Sequence, residues 1–151
     1  MKRAEVHMGH VMIGASGETL TASGVGSCLV ITLYDPVHRI GGMAHAMLPP
    51  ASRAPGRNGR DTKYTDAAID EMLKRLSARG ADTRRLEAKL MGGANMFPGL
   101  KSDIGEANVA SAKEKLAREN IRLAAESVGG SIGRSVEFCS ASGIVTVKKK
   151  L

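Results

Sequence analysis

A chain of 151 residues with 42% apolar content can bury a core of its own, and a single domain is expected over residues 1–151. Its charge of +7 comes from 22 basic against 15 acidic side chains, but the basic residues are scattered and aromatics are only 3%, so base stacking and a nucleic-acid partner are not expected. No apolar run approaches the roughly 20 residues that cross a bilayer, the N-terminus has no signal-peptide core, and two cysteines suit a reducing compartment, so the chain is expected to be cytoplasmic and not membrane-embedded.

In chain order, Val6 to Ile13 reads as a first strand and Thr19 to Ala22 as a short second one after the turn at Gly14–Gly17. Cys28 to Tyr34 is apolar and β-branched, Asp35-Pro36-Val37-His38 reads as a turn, and Ile40 to Leu48 returns as a strand. Pro49-Pro50 ends that hairpin and opens a polar loop, 51–61, whose composition suits a mobile segment near the hairpin's end. Ile69, Met72, Leu73 and Leu76 recur at helical spacing between Thr65 and Arg79, with Gly80 placed to stop the helix. Leu86, Ala88 and Leu90 alternate as a strand leading into Gly92-Gly93-Ala94-Asn95. A second helix starts near Asp103, where Glu106 completes a capping-box pattern, and runs to about Glu119 with Val109, Ala112 and Leu116 inward. Ile121 to Glu126 reads as a strand, and Arg134 to Phe138 pairs with Ile144 to Lys148. The fold class is α/β, mixed, with two main helices on one face.

Two side chains stand out chemically. A turn centred between Pro36 and Val37 sets Cys28 directly opposite His45, where Cβ atoms lie roughly 4.5–5.5 Å apart on one face. A bulge at Gly41-Gly42 would shift that register by one. Taken singly, a buried cysteine is usually a small hydrophobe and a histidine in an apolar strand a hydrogen-bonded core residue. Cys139 reads as strand-end packing, and His7, His10 and His38 as surface or strand residues with His38 closing the turn. Gly24-Val25-Gly26-Ser27 lacks the lysine of a phosphate loop, and the chain has no zinc-ligand spacing. Neither a metal nor a cofactor is expected.

The ordered set Gly24-Val25-Gly26-Ser27-Cys28, Asp35-Pro36-Val37 and Ala44-His45-Ala46-Met47-Leu48-Pro49 carries a resemblance. It continues through Lys63-Tyr64-Thr65-Asp66-Ala67, Gly92-Gly93-Ala94-Asn95-Met96-Phe97, Ile104-Gly105 with Asn108-Val109, Gly129-Gly130, Gly133-Arg134-Ser135-Val136-Glu137-Phe138 and Gly143. The chain thus resembles the chemoreceptor glutamine deamidases of bacterial chemotaxis, the CheD family, along nearly its whole length. The resemblance implies a layered α/β/β domain similar to bacterial cysteine deamidases. It implies hydrolysis of selected receptor glutamines to glutamate with ammonia release, with Cys28 as nucleophile and His45 as acid and base. It implies as partners the cytoplasmic domains of methyl-accepting chemoreceptors and a chemotaxis phosphatase. The family's third polar residue, a threonine six positions before the cysteine, is Ala22 here, between Thr21 and Ser23. Either hydroxyl is a candidate substitute, Thr21 only if the backbone bulges. The alternative implied by Ala22 is a non-catalytic regulator that binds receptors or the phosphatase.

The chemistry asks for a thiol activated by His45, with the cysteine pKa drawn down by an imidazolium neighbour. Backbone N–H groups of Gly26, Ser27 or Cys28 are candidates to hold the oxyanion. The loop with Asn95 lies by resemblance near the site. Asn95 could bond a carboxamide there or serve its own turn.

Overall fold

The structure, a computed structural model, describes residues 2–50, 61–97, 99 and 103–150. The polar loop expected over 51–61 lies, apart from Asp61, outside these residues. Strands β1 (Arg3–Glu5), β2 (Val11–Ala15), β3 (Thr19–Val25), β4 (Leu29–Asp35) and β5 (Ile40–Ala46) precede helix α1 (Thr65–Ala78). After a short 3₁₀ turn at Thr83–Arg85 come β6 (Glu87–Gly92), α2 (Ile104–Arg118), β7 (Arg122–Val128), β8 (Arg134–Cys139) and β9 (Val145–Lys149). They form two sheets, ordered β1-β3-β8-β9 and β2-β5-β4-β6-β7. The class is mixed α/β, with parallel pairs β1·β3 and β6·β7 among antiparallel ones.

Strand β4 shows why the layers stack as they do. Every one of its residues is buried, as expected for a strand covered on both faces. Leu29, Ile31 and Leu33 join Ile69, Met72 and Leu76 of α1 and Ala112 and Leu116 of α2 in one core. Val30 and Tyr34 point the other way and join Leu20, Ala22, Val136 and Phe138 of the smaller sheet in a second core. The order of layers is therefore helices, five-stranded sheet, four-stranded sheet. Each fully buried Leu, Met or Phe contributes about 1.5–3 kcal/mol relative to an exposed one. The two sheets approach closely where Phe138 lies over Gly41, at a distance a Cβ would reduce to 2.6 Å. Tyr34 meets the Phe138 ring edge-on, with centroids 5.7 Å apart.

Four sequence expectations are corrected. Of the first strand, expected over Val6 to Ile13, only Val11–Ile13 is strand, as the start of β2; 6–10 is a loop that links it to β1, which lies before Val6 and in the other sheet. Asp103 makes no side-chain capping bond, so the capping box at the start of α2 is not formed. The last pairing sets Phe138 opposite Val145, with Ile144 left in the turn. The central hairpin is the consequential case. Its register pairs Asp35 with Ile40 and Val30 with His45, so the turn is a four-residue one, with Arg39 at φ 53°. The cause is the buried Asp35 carboxylate, which accepts from the N–H groups of Val37 (2.9 Å) and His38 (3.2 Å) and from Asp82 N–H (2.8 Å). The first two bonds fall on Oδ1, and the Oδ2 that accepts from Asp82 also lies 2.6 Å from His38 Nδ1. That Asx arrangement carries the chain further before it turns back. No helix among the described residues is long and apolar enough to cross a membrane.

Candidate active site

Cys28 closes the short bend 26–28 by which the chain leaves the smaller sheet at β3 and enters the larger one at β4. All three carbonyls of that bend are tied down. Ala94 N–H donates to Gly26 O (3.0 Å), Gly93 N–H to Cys28 O (2.8 Å), and Asn108 Nδ2 to Ser27 O (2.9 Å). Each fixed carbonyl directs the N–H of the next residue the opposite way, so the ties on Gly26 O and Ser27 O orient the amides of Ser27 and Cys28. Among the described residues no other group takes up the amides of Gly26 and Ser27, while the Cys28 amide leans on its own sulfur.

His45, second from the end of β5, is 2% exposed. Its Nδ1 donates to the carbonyl of Val6 at 3.2 Å, which fixes the tautomer and leaves Nε2 with its lone pair and no partner. Its own backbone is pinned by the loop 6–10, through His45 N–H to His10 O (3.1 Å) and Gly9 N–H to His45 O (2.7 Å). Burial holds the imidazole pKa below its ordinary value, although the Val6 carbonyl and the Glu5 charge pull it back up. A cleft of about 290 Å³ opens over His45 between Glu5, Val6, His7, Met8 and Ser23.

The direct Cys28–His45 opposition expected from the turn is not formed. His45 faces Val30, and Cys28 is two residues further back, beyond the strand's first paired residue. The register differs by an even step of two, so a strand continued back to Cys28 would place it diagonally across from His45, where such pairs lie roughly 7–8 Å apart. The thiol instead lies 3.9 Å from the Met8 sulfur. Burial pushes the Cys28 pKa up and holds that of His45 down, and both shifts favour a neutral thiol beside a neutral imidazole over an imidazolium-stabilised thiolate.

The positions around Ala22 divide clearly. Ala22 is 1% exposed and packs between the sheets. The bulge in β3 falls after it, between Ala22 and Val25, with Gly24 at φ +63°. Thr21 is therefore not turned inward. Its hydroxyl reaches Ala4 O at 3.5 Å, and it lines a different cavity with Arg3, Glu137 and Lys148. Ser23 sits at the bulge, lines the His45 cleft and donates to Glu5 Oε1 at 2.7 Å. Asn95 uses its side-chain oxygen on Phe97 N–H (3.1 Å) and lines a separate cavity of about 450 Å³ with Asp103, Glu106 and Lys113. Its backbone N–H donates to Gly130 O at 2.8 Å.

Several residues of the site escaped sequence reasoning. The Val6 carbonyl and Met8 come from the loop 6–10, where sequence pattern predicts a strand. In the sequence Asn108 stands only among the residues that carry the resemblance, with no site role. Glu5 gave no signal beyond its charge. Among the described residues no three His, Cys, Asp or Glu side chains cluster as metal ligands.

Comparison with known proteins bears on this arrangement. Residues 47–149 match the family model described as CheD chemotactic sensory transduction. That segment begins beyond Cys28 and His45, but full-length relatives span both. The chain is 42% identical to the "Probable chemoreceptor glutamine deamidase CheD" of Pyrococcus horikoshii, over 99% of this chain and 93% of that protein. It is 48% identical to the "Probable chemoreceptor glutamine deamidase CheD 2" of Geobacter metallireducens, over 85% and 82%. To the "Chemoreceptor glutamine deamidase CheD" of Halalkalibacterium halodurans it is 39% identical, over 89% and 85%.

Proposed function

The chain belongs to the CheD chemotactic sensory transduction family, and on that premise we propose that it hydrolyses glutamine side chains of chemoreceptors to glutamate, releasing ammonia. One observation carries the reading: a thiol at a bend whose carbonyls are all drawn inward, just before the strand that pairs with the one carrying a buried imidazole with a free Nε2.

The neutral resting pair sets the order of events. The glutamine carboxamide enters beside Cys28, and its methylenes displace Met8 from the sulfur. His45 Nε2 takes the thiol proton as the sulfur attacks, so an S–C bond forms and the carbonyl oxygen becomes an oxyanion. The outward N–H groups of Ser27 and Cys28, with that of Gly26 beside them, hold that oxyanion. The imidazolium, fixed by Val6 O, returns its proton to the nitrogen, the C–N bond breaks and ammonia leaves. Water then loses a proton to the same Nε2 and attacks the thioester. The C–S bond breaks, glutamate departs, and the proton returns to the thiolate. Ser23, bonded to Glu5, is the hydroxyl available on the His45 side. In this reading residues 1–151 act as one catalytic domain on the cytoplasmic part of the receptor, and the basic surface suits an acidic helical partner.

The test incubates purified protein with chemoreceptor cytoplasmic fragments and follows each glutamine by peptide mass spectrometry, with Cys28→Ala and His45→Ala alongside. Conversion by the wild type alone supports the reading. Receptor binding without conversion contradicts it, and would make the chain a regulator of receptors or of a chemotaxis phosphatase.

A further inference from the structure

Asn108 lies in the first half of α2 and is fully buried, an unusual place for a carboxamide. Its two N–H bonds go to different parts of the fold. One reaches Ser27 O at 2.9 Å, the residue before Cys28, and the other reaches Met47 O at 3.1 Å, two residues after His45. Both acceptors are backbone carbonyls, so only this orientation of the amide satisfies the contacts. Its own oxygen, Oδ1, is buried with no partner among the described residues. A side chain chosen only to fill the core would not leave an acceptor stranded, because an apolar residue of the same shape avoids that cost.

The segments joined by Asn108 have no other side chain spanning them among the described hydrogen bonds. Cys28 lies just before β4 and His45 near the end of β5, where their ladder stops at Leu29–Ala46. Beyond that pair no ladder bond joins the two strands to each other, and each is held separately, Cys28 O by Gly93 N–H and Met47 N–H by Lys63 O. The helix that carries Asn108 is itself held in place: Thr65 of α1 and Ser111 of α2 share a buried hydroxyl bond at 2.7 Å, and Ser111 also bonds Asn108 O at 3.0 Å. Gly105 packs so tightly under Gly93 and Ala94 that a Cβ there would lie 2.4 Å from Ala94 O.

We propose that Asn108 is a positioning residue that fixes the separation of Cys28 from His45 by clamping the Ser27 and Met47 carbonyls with a single amide. The proposal rests on the deamidase reading for its turnover arm, and stands independently in its thiol arm. The clamp touches neither substrate nor reacting atoms. It acts by keeping the bend from drifting while the proton moves between sulfur and imidazole.

The test compares Asn108→Leu with wild type, and uses Ser111→Ala as a control that loosens the same helix without touching either carbonyl. Three quantities are read: melting temperature, kcat and KM for receptor-glutamine conversion, and the pH dependence of Cys28 alkylation by iodoacetamide. A displacement on the order of 1 Å costs roughly 100-fold in rate, so kcat of folded Asn108→Leu falls about 100-fold while KM changes little. The alkylation midpoint moves down toward that of a free thiol, because the released bend lets Cys28 into solvent. Ser111→Ala lowers the melting temperature and leaves kcat and the alkylation profile at wild-type values. Unchanged kcat and an overlaid profile in Asn108→Leu overturn the proposal, as does an equal change in Ser111→Ala. If Asn108→Leu does not fold, Asn108→Ala and Asn108→Asp remove the same donors, and wild-type kcat in either one overturns it. A wild type that converts no glutamine sinks the deamidase reading, and alkylation then decides the clamp by itself.

Discussion

Gly92→Ala is the substitution whose cost the structure specifies best. Gly92 ends β6 opposite Leu29, with φ at +111°, a region in which L side chains are strained. A Cβ there would lie 2.5 Å from the Cys28 carbonyl oxygen and 2.6 Å from Val25 Cγ1. Neither neighbour yields cheaply. The carbonyl is already held by Gly93 N–H at 2.8 Å, and Val25 is fully buried between the sheets. Backbone strain of about 1–3 kcal/mol and overpacking of about 1–3 kcal/mol together put the loss near 4 kcal/mol. In a domain of this size each kcal/mol moves the melting temperature by about 2–4 °C, so a fall of roughly 8–16 °C is expected. Gly24→Ala is the matched control: φ is +63° but nothing lies within 4 Å of the added carbon. Only the left-handed backbone penalty of about 1 kcal/mol applies there, worth roughly 2–4 °C. Thermal melts followed by circular dichroism measure both, and Cys28 alkylation reports whether the carbonyl has been pushed. A Gly92→Ala protein that melts with the wild type, or a Gly24→Ala protein that falls as far, would refute the close approach behind the nucleophile.

Other expectations follow from the same contacts. Asp35→Asn keeps the shape but gives up one acceptor of the turn, leaving a donor such as Asp82 N–H unpaired, and should cost about 1–3 kcal/mol in chemical denaturation. Burial raises the Asp35 pKa, but the N–H groups of Asp82, His38 and Val37 and the His38 ring outweigh it and hold it low. The stability Asp35 supplies is therefore present above the ordinary carboxylate value of about 3.9 and is lost as pH falls through the lower folded value. Melts across that range should show the loss in wild type and not in Asp35→Asn. Because burial holds His45 below its ordinary value, kcat/KM should stay full down to about pH 6.5 and decline only as pH falls through the lowered value. Alkylation of the half-buried Cys28 should be half-maximal above the value of about 8.5 for a free thiol, and a fast plateau at neutral pH would contradict the neutral pair. Ser23→Ala should lower kcat by about tenfold and Thr21→Ala leave it nearly unchanged, since only Ser23 lines the His45 cleft. The reverse ranking would return the third role to Thr21.

The parts of the fold written in local pattern were legible. The stripe Ile69, Met72, Leu76 does seat α1 on the larger sheet, and the all-apolar β4 does lie between two cores. What failed depended on single polar atoms. The hairpin register moved by two because the Asp35 carboxylate gathers N–H groups across the turn, a contact that residue type alone does not reveal. The two-residue step is even, so only the direct opposition of Cys28 and His45 is lost, as His45 faces Val30. Strand β1 is only three residues long and pairs in parallel with Thr19–Thr21, far too short for periodicity to register. Asn108 was hidden for a different reason. Helical spacing classes it as polar and therefore outward, and only its distant carbonyl partners explain why it points in.

The central claim is that Cys28 carries the acyl group during glutamine hydrolysis. Its most direct test is an acid quench in the first turnovers with a receptor glutamine peptide, followed by the intact mass of the protein. The account predicts an adduct on Cys28 equal to the peptide less one ammonia, absent from Cys28→Ala and diverted to the hydroxamate by added hydroxylamine. Conversion to glutamate with no adduct and no diversion would mean that water attacks the carboxamide directly and that Cys28 is not the nucleophile.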